Sequence, residues 1–190
     1  MKRLFGEQLI IPAARHQKDV EKIVEQATGA YMVMLETHIA QLKPLVHFAT
    51  TNGKKVLLHA DLINGLKNDD YAVEFLCQEV RPHGIISTRG NVVLKAKQHH
   101  VLAIQRLFMI DSSAYEKGLA LIQKVKPDAV ELLPGILPGQ IEKTFHRLDI
   151  PIIAGGLIEN QEQIQAVQKA GAIAVTTSDQ HLWPRGKTCE

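Results

Sequence analysis

The feature that most constrains this chain is an alternation. Short apolar runs recur at QLIIPAA (8–14), YMVMLE (31–36), KVLLHADL (55–62), GIIST (84–88), LAIQRLFMI (102–110), AVELLP (129–134), PIIAGGL (151–157) and AIAVTTS (172–178). Each is rich in Val, Ile or Leu and bounded by turn or polar residues, as in strands buried on both faces of a parallel sheet. Amphipathic segments lie between them. Residues 16–28 place Val20, Ile23, Val24 and Ala27 at helical spacing, and Ile39, Leu42, Leu45, Val46 and Ala49 repeat that spacing before the stop signal Asn52–Gly53. Further helices are expected over 69–80, near 91–99, and over 112–126, 139–148 and 160–171. Eight strands and seven helices in alternation predict an α/β chain folded as a compact (β/α)8 TIM-barrel-like unit.

Such barrels typically run to about 250 residues. At 190 residues this one must have short loops. After Ser178 only DQHLW is left to make a turn before Pro184, so the last helix is expected to be reduced or missing. The expected organisation is a single barrel domain over 1–182 and a loose C-terminal tail over 183–190. The alternative fold, an open doubly wound sheet, usually has fewer strands.

An apolar content of 45% supports one sizeable core. The net charge is only +2, and no basic run marks a polyanion site. Arg15, Lys18, Arg89, Lys95, Lys97, Arg147 and Lys169 read mostly as solvated charges on helix surfaces, so no RNA site is assigned. Cys77 and Cys189 form no CxxC pair, which argues against a disulfide framework or structural zinc and for a reducing compartment. Lys2 and Arg3 precede apolar residues, but Gly6, Glu7 and Gln8 interrupt them. No apolar window is long enough to span a membrane, so a cytoplasmic location is expected.

Ligands of such barrels bind at the C-terminal ends of the strands. The residues expected there are Glu36, His59, Asp61, Thr88, Arg89, Asp111, Ser112, Glu131, Gly155, Gly156, Thr177 and Ser178. In phosphate-binding barrels the anion lies between the loops after strands seven and eight, near a helix N-terminus. Gly155–Gly156 and Thr177–Ser178 occupy those places and suit a phosphate, because glycine lets backbone N–H groups approach an oxyanion. A tight turn and an N-cap would explain the same residues. His59 and Asp61, two apart on one strand, point to the same side. They could bind a metal, relay a proton or hydrogen-bond a polyol. Arg106, inside an apolar strand, needs a partner, and Glu131 or Asp61 could serve. No HExxH or Ser-His-Asp order occurs.

Six stretches together resemble the glycerol uptake operon antiterminator regulatory proteins: LLHADLINGL (57–66), IISTRG (85–90), IQRLFMIDSSA (104–114), ELLPGILP (131–138), PIIAGGLI (151–158) and TTSDQHLW (176–183). Arg89 stands where that family's pattern has lysine, and Thr176–Thr177 where it has Ser-Thr. The resemblance implies a barrel-like fold, glycerol 3-phosphate as ligand, and antitermination on the leader mRNA of glycerol-utilisation genes. It implies neither catalysis nor a cofactor or metal. The phosphate would sit on Gly155, Gly156, Thr177 and Ser178, and the polyol end among Glu36, His59, Asp61, Arg89, Asp111 and Glu131. Self-association into a homo-oligomer is left open.

The alternative is a phosphosugar enzyme, a metal-assisted epimerase or a lyase, since a barrel with a phosphate cradle and mouth carboxylates suits either. An epimerase would want two His and two acidic ligands converging. A Schiff-base aldolase would want a lysine near the C-terminal end of a strand, and Lys55 begins its strand. The preference for a regulator therefore rests mainly on the resemblance.

Overall fold

The computed structural model describes residues 4–186. Its strands are β1 (Ile10–Ala14), β2 (Tyr31–Met34), β3 (Lys55–His59), β4 (Gly84–Ser87), β5 (Leu102–Phe108), β6 (Ala129–Leu133), β7 (Ile152–Gly155) and β8 (Ala172–Thr177). They pair in parallel in chain order, and β8 returns to β1 to close the barrel. The helices are α1 (Gln17–Gln26), α2 (Ile39–Thr51), α3 (Asp70–Phe75), α4 (Gly90–Gln98), α5 (Ser112–Val125), α6 (Pro138–Arg147) and α7 (Gln161–Lys169). A π-helical turn, Leu76–Val80, extends α3, and a two-residue ladder pairs Thr37–His38 with Ile63–Asn64. The closed parallel barrel expected from the alternation is what the chain forms, and the open sheet is excluded.

Local chemistry explains the helix starts. Asp69, Asp111 and Asn160 accept hydrogen bonds from the N–H groups of Ala72, Ala114 and Gln163 at 2.9, 2.7 and 2.9 Å, satisfying donors that the first turn leaves free. Pro138 begins α6, where a missing N–H costs nothing. Each strand buries both faces, which is why the runs read as continuous rather than alternating. One face packs inside the barrel, where Ile11, Leu57, Ile86, Ile104, Ala129, Ile153 and Ala174 form an apolar plug. The other packs beneath the helices.

Among the described residues no helix follows β8. A short irregular segment takes its place. The expectation that the tail is loose from residue 183 is corrected here. Trp183 is only 6% exposed, and its Nε1 donates to the Thr177 carbonyl at 3.0 Å. Pro184 accepts from the Thr28 N–H at 2.7 Å, and Arg185 bridges Ala27. Adjacent side chains join the two outer layers: Leu182 packs with the β6–β8 half and Trp183 with α1 and the β2–β4 half. The remainder of the expected tail, 187–190, lies outside the described residues. No helix among the described residues is long and apolar enough to cross a membrane.

Candidate functional site

Strand alternation places the site. Two residues beyond the apolar plug, on the same inward face, stand His59, Thr88, Arg106, Glu131, Gly155 and Thr176. They form a polar ring at the C-terminal mouth. Its centre is Glu131, fully buried, which carries Arg106 Nε at 2.7 Å on one carboxylate oxygen and the Thr176 hydroxyl at 2.6 Å on the other. Of the two partners expected for Arg106, Glu131 is the one it takes. The terminal guanidinium nitrogens of Arg106 make no hydrogen bond among the described residues, so they remain available as donors.

Gly155 ends β7 beside this pair. A Cβ there would stand 2.6 Å from Thr176 Oγ1 and 2.8 Å from Glu131 Oε1, so packing against the buried carboxylate already demands glycine. Gly156 follows at φ +79°, a conformation glycine adopts without the Cβ penalty. The Gly135 N–H donates to the carbonyls of Gly155 and Gly156, at 2.6 and 3.1 Å, and ties the loop after β6 to the end of β7. The N–H group of Ser178 has no hydrogen-bond partner among the described residues, while that of Gly156 faces the Thr176 carbonyl across the β7–β8 ladder.

His59 ends β3. It is 3% exposed, and neither ring nitrogen has a hydrogen-bond partner among the described residues. Burial and the Arg106 charge push its pKa down to about 4, against opposing pulls from Asp61 and Glu131. The ring is therefore neutral near pH 7, with one donor and one acceptor unspent. Its folded value lies below its ordinary value, so the unfolded chain binds the proton more readily. Stability should fall as pH drops from about 6.5 to about 4, by up to about 3 kcal/mol at 1.36 kcal/mol per unit. Urea titrations across that window check this: His59→Asn should flatten the dependence, and an unchanged slope would show that other groups carry it.

The expectation that His59 and Asp61 share one face of a strand does not hold. Asp61 lies in the turn Ala60–Leu62 after the strand, not on it. Its carboxylate accepts the Ser87 hydroxyl at 2.5 Å and both the N–H and hydroxyl of Thr88 at 2.7 Å. It pins the loop after β4. Arg89 precedes α4 as an exposed side chain. Asp111 caps α5, so its carboxylate is used in holding that helix. Thr177 faces away from the ring: its hydroxyl accepts the Asp179 N–H at 3.1 Å and its carbonyl holds Trp183. Thr176, one position earlier, supplies the inward hydroxyl.

Sequence reasoning missed the place of Arg15. Expected among solvated helix charges, it instead follows β1 directly and stands at the rim, Nε donating to Ser178 Oγ at 3.4 Å and Nη1 3.7 Å from Glu36. Counting inward positions from Ile11 and Ala13 would have put it at the mouth. Rim and ring thus combine two cations, a free backbone donor at Ser178 and an unsatisfied imidazole. That set suits a small anionic polyol. Among the described residues no group of three or more His, Cys, Asp or Glu converges as for a metal ion, and no lysine stands at a C-terminal strand end.

Comparison with known proteins gives a consistent picture. A family model described as glycerol-3-phosphate responsive antiterminator matches residues 10–183. The chain is similar to the crystal structure of a glycerol uptake operon antiterminator regulatory protein from Listeria monocytogenes str. 4b F2365, at 68% identity and a TM-score of 0.93, covering 95% of this chain and 97% of that one. A glycerol uptake operon antiterminator-related protein from Thermotoga maritima MSB8 is 28% identical with a TM-score of 0.82, covering 93% of this chain and 98% of that one. An uncharacterized protein, YgcP, from Escherichia coli K12 is 26% identical over 97% of this chain and 96% of its own length.

Proposed function

Because this chain belongs to the glycerol-3-phosphate responsive antiterminator family, we propose that it binds glycerol 3-phosphate at the barrel mouth and, so loaded, binds the leader mRNA of glycerol-utilisation genes to promote antitermination. The observation that carries the ligand half is His59. A buried imidazole with two unpartnered nitrogens is costly, and a ligand hydroxyl at that place would satisfy it. The phosphate then lies outward, against the backbone of Gly156 and on the N–H group of Ser178, beside Arg15 and Arg106. Glu131 takes a positioning role: it fixes the Arg106 guanidinium through Nε and leaves its terminal nitrogens to the ligand. Phosphate bound there joins the loops after β7 and β8, and it favours the RNA-binding state only through tighter binding to that state.

Calorimetry with glycerol 3-phosphate, beside glycerol and inorganic phosphate, tests the ligand. The ester should bind at least tenfold more tightly than either fragment, a difference of about 1.4 kcal/mol or more. Gly156→Asp, which sets a carboxylate against the phosphate, should abolish binding. Gly156→Asn, which also tolerates positive φ, should retain most of it. A folded wild-type protein that ignores the ester would overturn the assignment.

A further inference from the structure

The opposite end of the barrel carries a second charged feature, formed by the loops that lead from helices into strands. Such loops usually turn on a glycine in the left-handed region, and three here do: Gly29, Gly53 and Gly171, at φ +95°, +81° and +104°. The three consecutive loops entering β4, β5 and β6 do not. They turn on Arg81, His100 and Lys126, at φ +55°, +59° and +51°. A side chain in that conformation is strained relative to glycine. Each of the three is basic or titratable, each is exposed, and they belong to neighbouring strands.

These loops border a broad cleft of about 990 Å³ on the N-terminal face, whose lining includes Pro82, His83, Lys97, His100, Asp128 and Asp149. Lys97 Nζ donates to the Lys126 carbonyl and joins the last turn of α4 to the loop before β6. Lys55 extends the positive side, standing 5.0 Å over the Tyr31 ring, against which His83 packs edge-on at 5.3 Å. Of the cleft's two carboxylates, Asp128 is engaged with the Ala103 N–H at 2.9 Å. Lys55, Arg81, Lys97 and Lys126 are thus gathered from four separate segments, which is why no basic run shows in the sequence.

We propose that this face, over the loops entering β4, β5 and β6, is where RNA docks, through phosphate contacts of Arg81, Lys97, His100 and Lys126. The proposal rests on the reading that the chain binds leader RNA. Basic side chains on a shallow surface match the sugar–phosphate backbone of a folded RNA segment. Unpaired bases would instead want stacking platforms, and Tyr31 is too buried, at 9% exposure, to supply one. The ligand and the RNA then occupy opposite ends of one barrel.

The strained positions supply their own test variant. Arg81→Gly/Lys126→Gly removes two charges while relaxing the backbone, so the protein should fold at least as well as wild type. Fluorescence anisotropy with a labelled transcript of a glycerol-uptake operon leader, at saturating glycerol 3-phosphate, reads affinity across a salt series. The variant should bind at least tenfold more weakly, with a salt slope shallower by about one per lost contact, while calorimetry shows unchanged glycerol 3-phosphate binding. Wild-type protein that binds no leader RNA would overturn the regulatory reading and this surface with it. Wild-type binding together with unchanged variant affinity and slope would overturn the surface alone. Loss of antitermination in reconstituted transcription at unchanged RNA affinity would assign the face to a protein partner and also overturn the proposal.

Discussion

Glu131→Leu is expected to cost about 3–5 kcal/mol of folding stability, the usual penalty for stranding one member of a buried ion pair. Arg106 would keep its charge at 8% exposure with no carboxylate beside Nε, and the Thr176 hydroxyl would lose its acceptor. The desolvation paid by both charges makes the intact pair a weak stabiliser. Arg106→Met/Glu131→Leu should therefore recover most of the loss, short of wild type by about 1–2 kcal/mol for the orphaned hydroxyl. Urea unfolding followed by circular dichroism measures all three proteins. If Glu131→Leu costs under 1 kcal/mol, water reaches the pair and the ring is not a closed network. The double variant also separates folding from recognition: it should fold, yet bind glycerol 3-phosphate far more weakly, because both the cation and the group that aims it are gone.

That cluster also shows where the sequence was legible. Strand and helix placement followed from apolar periodicity, because a doubly buried strand and an amphipathic helix leave different spacings. Counting alternate residues from the apolar plug reaches His59, Arg106, Glu131 and Gly155 without a structure. What periodicity does not carry is the side chain's final partner. Asp61 was expected beside His59 because both were read as strand residues; the chain leaves the strand at His59 and turns, so Asp61 meets Ser87 and Thr88 instead. Thr177 ends its apolar run, yet one step along a strand reverses the face, and Thr176 is the residue inside. The double glycine likewise has two causes: contact with Glu131 and Thr176 at Gly155, positive φ at Gly156. The basic face was illegible for another reason. Its cations come from a strand start, a helix end and two loops, which the parallel pairing of β3 to β6 brings side by side.

Trp183→Ala is expected to destabilise the protein by about 3–5 kcal/mol, the range for removing a buried tryptophan from a packed layer. In a longer barrel an eighth helix would cover the seam between α7 and α1; here Leu182 and Trp183 cover it from an irregular segment, one on each side. Losing the indole opens a gap in the buried layer that Trp183 shares with Val20, Ile23 and Ala27. It also frees the Thr177 carbonyl and loosens the segment whose Gln180 amide reaches Asp19 at 3.0 Å. Since Trp183 is the single tryptophan, its fluorescence reports docking in wild type, and the variant must be followed by circular dichroism. Trp183→Phe, which keeps the ring but not the donor, should cost less than half as much. If Ala and Phe were equally mild, under 1 kcal/mol, the segment would not be holding the seam. Because β8 ends at Thr177, the Ala variant should also weaken glycerol 3-phosphate binding by displacing the Ser178 N–H. The LW that closes the family-like motif is thus expected to act on the ligand only through the backbone it anchors, a distinction the Phe variant makes by restoring packing without restoring the hydrogen bond.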